Sequence, residues 1–389
     1  MPTHRRVQRQ AIARLHQMAC LDFNGPQLIA SVLQELHHLI GFDYGGYFYP
    51  GSDGELEVFM EAPHMRALMP TYFDNRLLES ERRVVTRSAR FFSEAVRYEH
   101  GPQMLDRLIK VPWDEFLRSD FYNVVIRPAD VKDCVSLVLR TPQGQGIGAV
   151  KLYRAASSPW FRPEEIKVLG QIESCLARAL QFGEMDAGDS VVQGGGLLVA
   201  SPMGKLLWLS PEAGPMMELA FGPRWRRRTE LPPALQLLLQ RLQWRRQPEG
   251  TMPLPPQMEL RNAGGWFSLR ATPLAAATGE EGAVGIHITQ RVARTARLLP
   301  ALGRLGLPQR QYELAYWLAR GLPESQIAER MGISANTLVY HRRQLYLRLD
   351  VHSRQELLVR IAPGPNPKSL GPATAWQGDG EVRCRISGE

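Results

Sequence analysis

Cysteine is scarce and scattered in this chain. The four cysteines are Cys20, Cys134, Cys175 and Cys384, and no two of them stand in the short spacings that zinc sites use. A disulfide framework is also unexpected, because such frameworks occur mainly in small, cysteine-dense secreted domains. We therefore predict free thiols in a reducing compartment, and neither a metal nor another cofactor.

Long apolar runs are missing as well. No window approaches the roughly 20 apolar residues of a membrane span, and the basic N-terminus lacks the apolar core of a signal peptide. We therefore expect a cytoplasmic protein with no membrane partner. At 389 residues the chain is too long for one compact core, which predicts two or three domains.

Sequence patterns typical of catalytic sites are missing too. No nucleophile with a base, no paired carboxylates and no phosphate-binding loop stand out, so we predict that the protein is not an enzyme. The glycine-rich segment 144–148 precedes a strand-like run rather than a helix, which indicates a hairpin turn. The net charge of +8 favours a polyanionic partner, but charge alone does not select nucleic acid.

The first block, residues 1–182, has the pattern of a mixed helix and sheet domain. Helices are predicted at 7–18, 26–40 and 163–180, and strand-like runs read DYGGYFYP, ELEVFM, DCVSLVLR and IGAVKLYR. An irregular helical insert separates the two pairs of strands, which predicts an α+β layer arrangement. With the phrases FLRSDFYNVVIRP and SSPWFRPEEIKVL, this block resembles a GAF domain, and the resemblance implies a sensory role.

A polar, glycine-rich segment, 183–196, is predicted to link this block to a second one, residues 197–290. The second block has a strand-turn-strand pattern, a hairpin with its turn at 262–265 and a closing strand GAVGIHIT. This α+β pattern resembles a PAS-like sensor sheet. Residues 291–306 are predicted to be a connecting helix, and the tail 362–389, rich in proline and glycine, is predicted to be disordered.

The last structured segment, residues 307–361, predicts an all-α unit of four helices. They are expected at 310–320, from Pro323, at 335–349 and at 353–361. Gly321 should end the first helix, Gly332 should allow the turn after the second, and Ser334 should cap the third. The predicted core residues are Ile327, Ala328, Met331, Ile333, Leu338, Leu345 and Leu349, with Leu357, Leu358 and Ile361 packing on the unit or on a second subunit.

The third helix of this unit has an unusual outer face. It carries Asn336, Val339, Tyr340, Arg343 and Leu347, with His341 and Arg342 beside the buried stripe. From Asn336 to Arg348 there are three arginines and no acid. Arginine can bind guanine, asparagine can pair with adenine, and apolar atoms can contact the thymine methyl group. This helix is therefore predicted to enter the major groove of double-stranded DNA.

Over its full length the segment resembles the LuxR-type helix-turn-helix family. The matching residues are Leu307, Arg310, Glu313, Leu318, Ala319, Gly321, Leu322, Ile327, Ala328, Ile333, Ser334, Thr337, His341, Leu345, Leu349, Val351 and Arg354. The family implies a module that binds DNA as a dimer, with bases read at Val339, Tyr340 and Arg343 and phosphates held at Thr337 and His341. The predicted DNA-binding residues are Asn336, Thr337, Val339, Tyr340, His341, Arg342, Arg343 and Arg354.

Three departures from the family pattern affect these expectations. Val339 and Tyr340 stand where a lysine and a variable residue are usual, so the base preference should differ from that of typical members. Asp350 replaces a glycine after the third helix, but aspartate tolerates the left-handed conformation and the cap should survive. Pro308 replaces a threonine, which changes the capping of the first helix but not the helix itself.

Two further features allow alternative interpretations. Tyr47, Trp113, Phe121 and Tyr122 could line a small-molecule pocket, as the GAF resemblance permits, or could be ordinary core aromatics. The basic run 224–228 is predicted to be a solvated loop, with a phosphate or acidic partner as the alternative.

Together these patterns predict a one-component transcription regulator. Its expected partners are double-stranded DNA, a second copy of the chain as a homodimer, and a small-molecule effector. In one alternative the sensory blocks serve only for dimerisation or partner binding, and in another the first block is an enzyme. An acyl-homoserine-lactone sensor is a narrower alternative, which the extra middle block disfavours.

Overall fold

The computed structural model describes residues 2–21, 24–51, 54–88, 90–183, 189–222, 225, 229–244, 256–275 and 282–361. The tail 362–389 and most of the basic run 224–228 lie outside these residues, and so do the predictions made for them. Within the described residues no helix is long and apolar enough to cross a membrane. Cys20, Cys134 and Cys175 are free thiols, as predicted, whereas Cys384 is not described.

The first region is an antiparallel sheet with helices on both faces. Its strands are β1 (Tyr44–Pro50), β2 (Leu56–Met60), β3 (Gln103–Met104), β4 (Asp133–Arg140) and β5 (Gly146–Arg154), in the order β2-β1-β5-β4-β3. Its helices are α1 (Pro2–Ala19), α2 (Ile29–Leu39), α3 (Pro63–Tyr72), α4 (Asn75–Val84), α5 (Phe92–Tyr98), α6 (Leu105–Leu108), α7 (Trp113–Arg118), α8 (Pro163–Gln171) and α9 (Glu173–Leu180). The predicted helix at 26–40 is split, because Pro26–Leu28 form a 3-10 turn before α2 begins.

Strand alternation divides the side chains of this sheet between two cores. Tyr47 and Tyr49 on β1 pack with Leu137 on β4 against the terminal helices α1, α2, α8 and α9. Phe48 and Cys134 point the other way, into a core formed with the insert between β2 and β4. Because side chains alternate along a strand, a sheet covered on both faces has strands that are apolar at successive positions.

The second region repeats the same strand order with different packing. Its strands are β6 (Ser190–Ala200), β7 (Leu206–Leu209), β8 (Gln257–Asn262), β9 (Gly265–Leu274) and β10 (Ala283–Ala293), in the order β7-β6-β10-β9-β8. Two helices, α10 (Ala213–Phe221) and α11 (Pro233–Trp244), cover one face. The predicted hairpin is confirmed, since Asn262 pairs with Gly265 at its turn.

The predicted linker is partly wrong, because β6 begins at Ser190 and includes three of its glycines. Gly194, Gly195 and Gly196 pair with β10, and a Cβ atom on Gly196 would lie 2.7 Å from the Cα of Ala213. Glycine is therefore needed here for close packing of α10 on the strand rather than for a flexible connection. At the other end β10 runs to Ala293, which shortens the predicted connecting helix to α12 (Arg294–Gly303).

The C-terminal region is all-helical. It consists of α13 (Gln309–Arg320), α14 (Glu324–Met331), α15 (Ala335–Leu349) and α16 (Arg354–Ile361). Gly321 and Gly332 adopt left-handed conformations with φ of 95° and 60°, as their predicted capping roles require. Leu357 and Ile361 are buried in the unit, whereas Leu358 is 39% exposed, so its packing on a second subunit stays a prediction.

Candidate functional site

Helix α15 begins and ends where the sequence predicts. The Ser334 hydroxyl accepts a hydrogen bond of 3.2 Å from the backbone N–H of Thr337, which caps its first turn. At the other end Asp350 has φ 52° and ψ 54°, so this aspartate takes the left-handed position that a glycine usually fills. Both ends of α15 are therefore fixed by local interactions of its own sequence.

The inner face of α15 holds the helix in place. Leu338, Leu345 and Leu349 are buried and pack in the same core as Ile327 and Met331 of α14. The helix packs on α13, α14 and α16. Its direction is thus set by a rigid apolar contact, which a helix that must present side chains in a fixed register requires.

The outer face of α15 is open. Asn336, Thr337 and Arg343 are exposed, and Val339 and His341 are partly exposed. Tyr340 is 60% exposed and Leu347 is 79% exposed, so both present apolar surface to the solvent. The face combines positive charge, hydrogen-bonding groups and apolar surface, and no acidic residue lies between Ala335 and Leu349.

Two predicted DNA-binding arginines have partners inside the protein. Arg342 forms an ion pair with Glu324 at the start of α14. The Nε atom of Arg354 donates a hydrogen bond of 2.9 Å to the carbonyl oxygen of Leu318, near the end of α13. In the sequence, Gly321 indicates this structural role of Arg354, because it marks the end of α13. A helix end leaves carbonyl groups without partners, and a nearby cation can bind them. Contacts of both arginines with DNA stay predictions.

A buried arginine ties this helical region to the first one. Arg14 of α1 donates 3.1 Å and 3.0 Å hydrogen bonds to the Glu35 carboxylate and to the carbonyl oxygen of Leu307. Its guanidinium lies 4.8 Å from the ring centre of Tyr312, and burial raises the pKa of that phenol. Arg14 is 5% exposed and Glu35 is 1% exposed. No local sequence pattern indicates this contact, because its residues are separated by up to 293 positions.

Further contacts surround this arginine. Gln309 of α13 donates a hydrogen bond of 2.9 Å to Gln17 of α1. The hydroxyl groups of Thr295 and Tyr316 are hydrogen-bonded at 2.9 Å, and Arg320 pairs with Asp189. The terminal helices of the first region, α12 and the four C-terminal helices share one continuous hydrophobic core. The helical region is therefore docked on the first region.

A cavity of about 110 Å³ lies inside the first region, between the sheet and the helical insert. Of the four aromatics predicted for a pocket, Phe121 lines it. Tyr122 does not line it, but its ring centre lies 5.3 Å from that of Phe116, which does.

The other two predicted pocket residues lie elsewhere. Tyr47 faces the terminal helices, where its hydroxyl donates a hydrogen bond of 2.9 Å to the carbonyl oxygen of Ile147. Trp113 is 44% exposed and lies at the surface against Trp160. Neither residue lines this cavity, and Tyr47 takes the alternative role of a core aromatic. An aromatic count does not say which face of a strand or helix a residue takes. Strand alternation could have identified Phe48, which lines the cavity.

Solved structures with low similarity to this chain include three bacterial proteins or complexes. SdiA from Escherichia coli is 11% identical, with 86% of this chain and 87% of that chain covered and a TM-score of 0.27. VqmA from Vibrio cholerae is 17% identical, with 43% and 81% covered and a TM-score of 0.17. The Escherichia coli DhaR(N)-DhaL complex is 9% identical, with 74% and 88% covered and a TM-score of 0.21. Similarity at this level assigns no function.

The family comparison is specific to the C-terminal helices. No curated protein matches the chain. The model of the family described as bacterial regulatory proteins, luxR family, matches residues 306–361, which agrees with the segment 307–361 identified from the sequence. This range contains α13 to α16 with their caps and the open face of α15. Residues 306–361 are thus a helix-turn-helix domain of the LuxR family.

Proposed function

We propose that this chain is a one-component transcription regulator that binds double-stranded DNA through α15. The observation that carries the proposal is the open face of α15, held by a buried inner face and free of acidic side chains. A helix with these properties fits the major groove, where its side chains reach base edges. The family match of residues 306–361 supports the same function.

The side chains on the open face divide into two roles. Val339, Tyr340 and Arg343 lie at the middle of α15 and contact bases, with the guanidinium of Arg343 forking onto guanine. Thr337 and His341 hold phosphates, and Asn336 lies beside them in the first turn of the helix. Phosphate contacts position the helix and give affinity that falls with salt, whereas base contacts select the sequence.

The two sheet regions are proposed to be sensory domains of the GAF-like and PAS-like kinds. We assign residues 1–182 to the first domain and 197–290 to the second, although the strands of the second extend from Ser190 to Ala293. Their shared strand order and the cavity of the first region support this assignment. A homodimer would place two copies of α15 on two half-sites, one helical turn of DNA apart or a multiple of it.

The docking through Arg14 couples the first sensory region to the DNA-binding domain. Since the helix-turn-helix domain shares a hydrophobic core with the first region, a change in the position of α1 or α2 changes the position of α13. An effector that prefers one arrangement shifts the population toward it and alters the spacing of the two modules in a dimer.

The test is retention of genomic DNA fragments by the full-length protein at two salt concentrations, comparing Arg343→Ala and Val339→Ala with the wild type. Arg343→Ala should weaken binding by roughly tenfold to a hundredfold, since a bidentate contact to guanine contributes about 1–3 kcal/mol. Val339→Ala should change which fragments are retained. The matched control is Arg118→Ala, because Arg118 is an exposed arginine on α7, away from α15.

Two results would contradict the proposed function. One is equal retention of all fragments by the wild-type protein at both salt concentrations. The other is unchanged affinity and selectivity in Arg343→Ala and Val339→Ala, which would move the DNA contact away from α15.

A further inference from the structure

The cavity of the first region has mostly apolar walls. Phe48 and Met60 come from the sheet, Met65 and Met69 come from α3, and Phe116 and Phe121 come from the insert. Methionine side chains adapt to irregular shapes, so these walls can close around a small apolar body. An engineered cavity of about 150 Å³ holds benzene, and the cavity here, at about 110 Å³, corresponds to a molecule of single-ring size.

Several polar side chains interrupt these walls, including Lys151, Ser136 and Glu99. Lys151 lies on β5 directly opposite Ser136 of β4, and both line the cavity. Glu99 lines it as well and is only 5% exposed. Opposite charges therefore lie within one small apolar enclosure.

The two charges influence each other but do not form an ion pair. Among the described residues, the Glu99 carboxylate and the Lys151 ammonium group make no hydrogen bond and no ion pair, and Lys151 Nζ lies 5.1 Å from the ring centre of Phe48. Glu81, the other carboxylate of the cavity wall, accepts a hydrogen bond of 3.1 Å from Tyr72 and lies 3.2 Å from Arg90. Glu81 is thus part of the structure, whereas Glu99 and Lys151 are available to a ligand.

Burial disfavours the charged form of the Glu99 carboxyl group. Desolvation raises the pKa of Glu99, against the opposing effect of Lys151, Arg87 and Arg140. A hydrogen-bond donor placed against a buried carboxylate offsets this cost. A bound molecule with the right polar edge would remove this cost.

We propose that this cavity binds a small molecule of single-ring size, largely apolar, whose polar edge offers an acceptor to Lys151 and an adjacent donor to Glu99. The lining also holds Glu81, which lies beside Arg90, and Arg87, whose guanidinium lies over the ring of Tyr98. The acid Glu99 and the base Lys151 then face the ligand, so the fitting class is a neutral or zwitterionic molecule rather than a polyanion or a long acyl chain. The inference deepens the proposed function only by naming the effector class, and the binding itself does not depend on DNA.

The experiment is a ligand-observed NMR titration of the full-length protein without DNA. The probe is 2-pyridone, whose ring carries a carbonyl acceptor beside an N–H donor, and toluene serves as an apolar probe of similar size. The wild type should bind the pyridone more tightly than toluene. Lys151→Met should weaken pyridone binding by about tenfold or more, as expected for a hydrogen bond to a charged group, and should leave toluene binding intact.

Two variants accompany this comparison. Lys167→Met is the matched control, since Lys167 is an exposed lysine on α8, outside the cavity wall, and it should change neither affinity. Glu99→Gln tests the other half of the site with an isosteric change and should also weaken the pyridone more than toluene. It keeps the test valid if Lys151→Met does not fold.

Three outcomes would overturn the inference. They are pyridone binding no tighter than toluene in the wild type, equal losses for both probes in the folded variants, and losses in Lys167→Met that match those in Lys151→Met. If 2-pyridone does not bind while DNA binding is intact, only the proposed effector class is rejected. If 2-pyridone binds but the protein does not bind DNA, only the proposed function is rejected.

Discussion

The two sheet regions have the same strand order and differ in what covers their faces. In the first region, the face toward the insert encloses a cavity that contains Glu99 and Lys151. In the second, the corresponding core is formed by apolar side chains of α10 and α11, including Met217, Phe221 and Leu235. A pocket of about 80 Å³ at one end of the second sheet is lined by apolar residues alone. Strand order therefore does not decide whether a sheet holds a polar site, since the inserted helices decide it.

The opposite faces differ as well. The first sheet packs its second face on the terminal helices, so that seven of the eight residues of β4 are buried. In the second sheet Leu197 and Trp208 are 38% and 66% exposed, and β9 alternates between buried and more exposed positions. Continuous burial is typical of a sheet covered on both faces, and alternating burial is typical of a sheet covered on one face.

The largest expected effect concerns the docking of the helix-turn-helix domain on the first region. Arg14→Met should lower the free energy of unfolding by about 3–5 kcal/mol, because it leaves a buried carboxylate on Glu35 without its cation. Urea denaturation followed by tryptophan fluorescence measures the change. Arg76→Met is the control, since Arg76 forms an exposed pair with Asp74 and should show no measurable change. Equal stability of all three proteins would mean that the docking contributes nothing.

The next largest effect is a difference in stability loss between the covered face of the first sheet and the open face of the second. Leu137→Ala should cost about 2–5 kcal/mol, because Leu137 is fully buried under the terminal helices. Leu197→Ala should change stability by less than about 0.5 kcal/mol, because the side chain is already in contact with water. The same denaturation assay measures both. A large loss in Leu197→Ala would show that something covers this face.

A smaller effect should come from neighbouring glycines on the two faces of β6. Gly196→Ala should destabilise the second region by about 1–3 kcal/mol, because the new methyl group collides with the backbone of α10. Gly195→Ala places its methyl group 3.5 Å from the carbonyl oxygen of Ile288, which is an ordinary contact, and should be tolerated. Thermal unfolding by circular dichroism distinguishes them. Equal midpoints would contradict close packing of α10.

The smallest expected effect is a pH-dependent gain from Glu99→Gln in the first region. Burial raises the pKa of Glu99, so the folded protein keeps this proton to higher pH than the unfolded chain. Stability is therefore lost as the pH rises above the unfolded value, and glutamine removes that loss. The variant should unfold about 1–3 °C higher at pH 7, with a smaller gain near pH 4. Glu94→Gln, an exposed position on α5, should show no such pH dependence.

The helix-turn-helix domain was predicted more completely than either sheet region. Its caps depend on contacts between residues close in sequence, such as Ser334 with Thr337, and the apolar spacing of α15 identified Leu338, Leu345 and Leu349. Of the four aromatics predicted for a pocket, the cavity of the first region is lined by Phe121 and not by the other three. Tyr47 and Phe48 are neighbours in sequence, yet they lie on opposite faces of one sheet, and only the layer on each side distinguishes core from cavity.

The sequence by itself therefore determined the four C-terminal helices with their caps, the hairpin turn at 262–265 and the face of α15 that is open. These features follow from interactions within a few residues and from apolar periodicity. Only the tertiary structure decided that Gly194 to Gly196 belong to a strand, that Arg14 joins α1 to the C-terminal helices, and that Glu99 and Lys151 line one cavity. The reason is physical, since these contacts join segments far apart in the chain and depend on how whole elements pack.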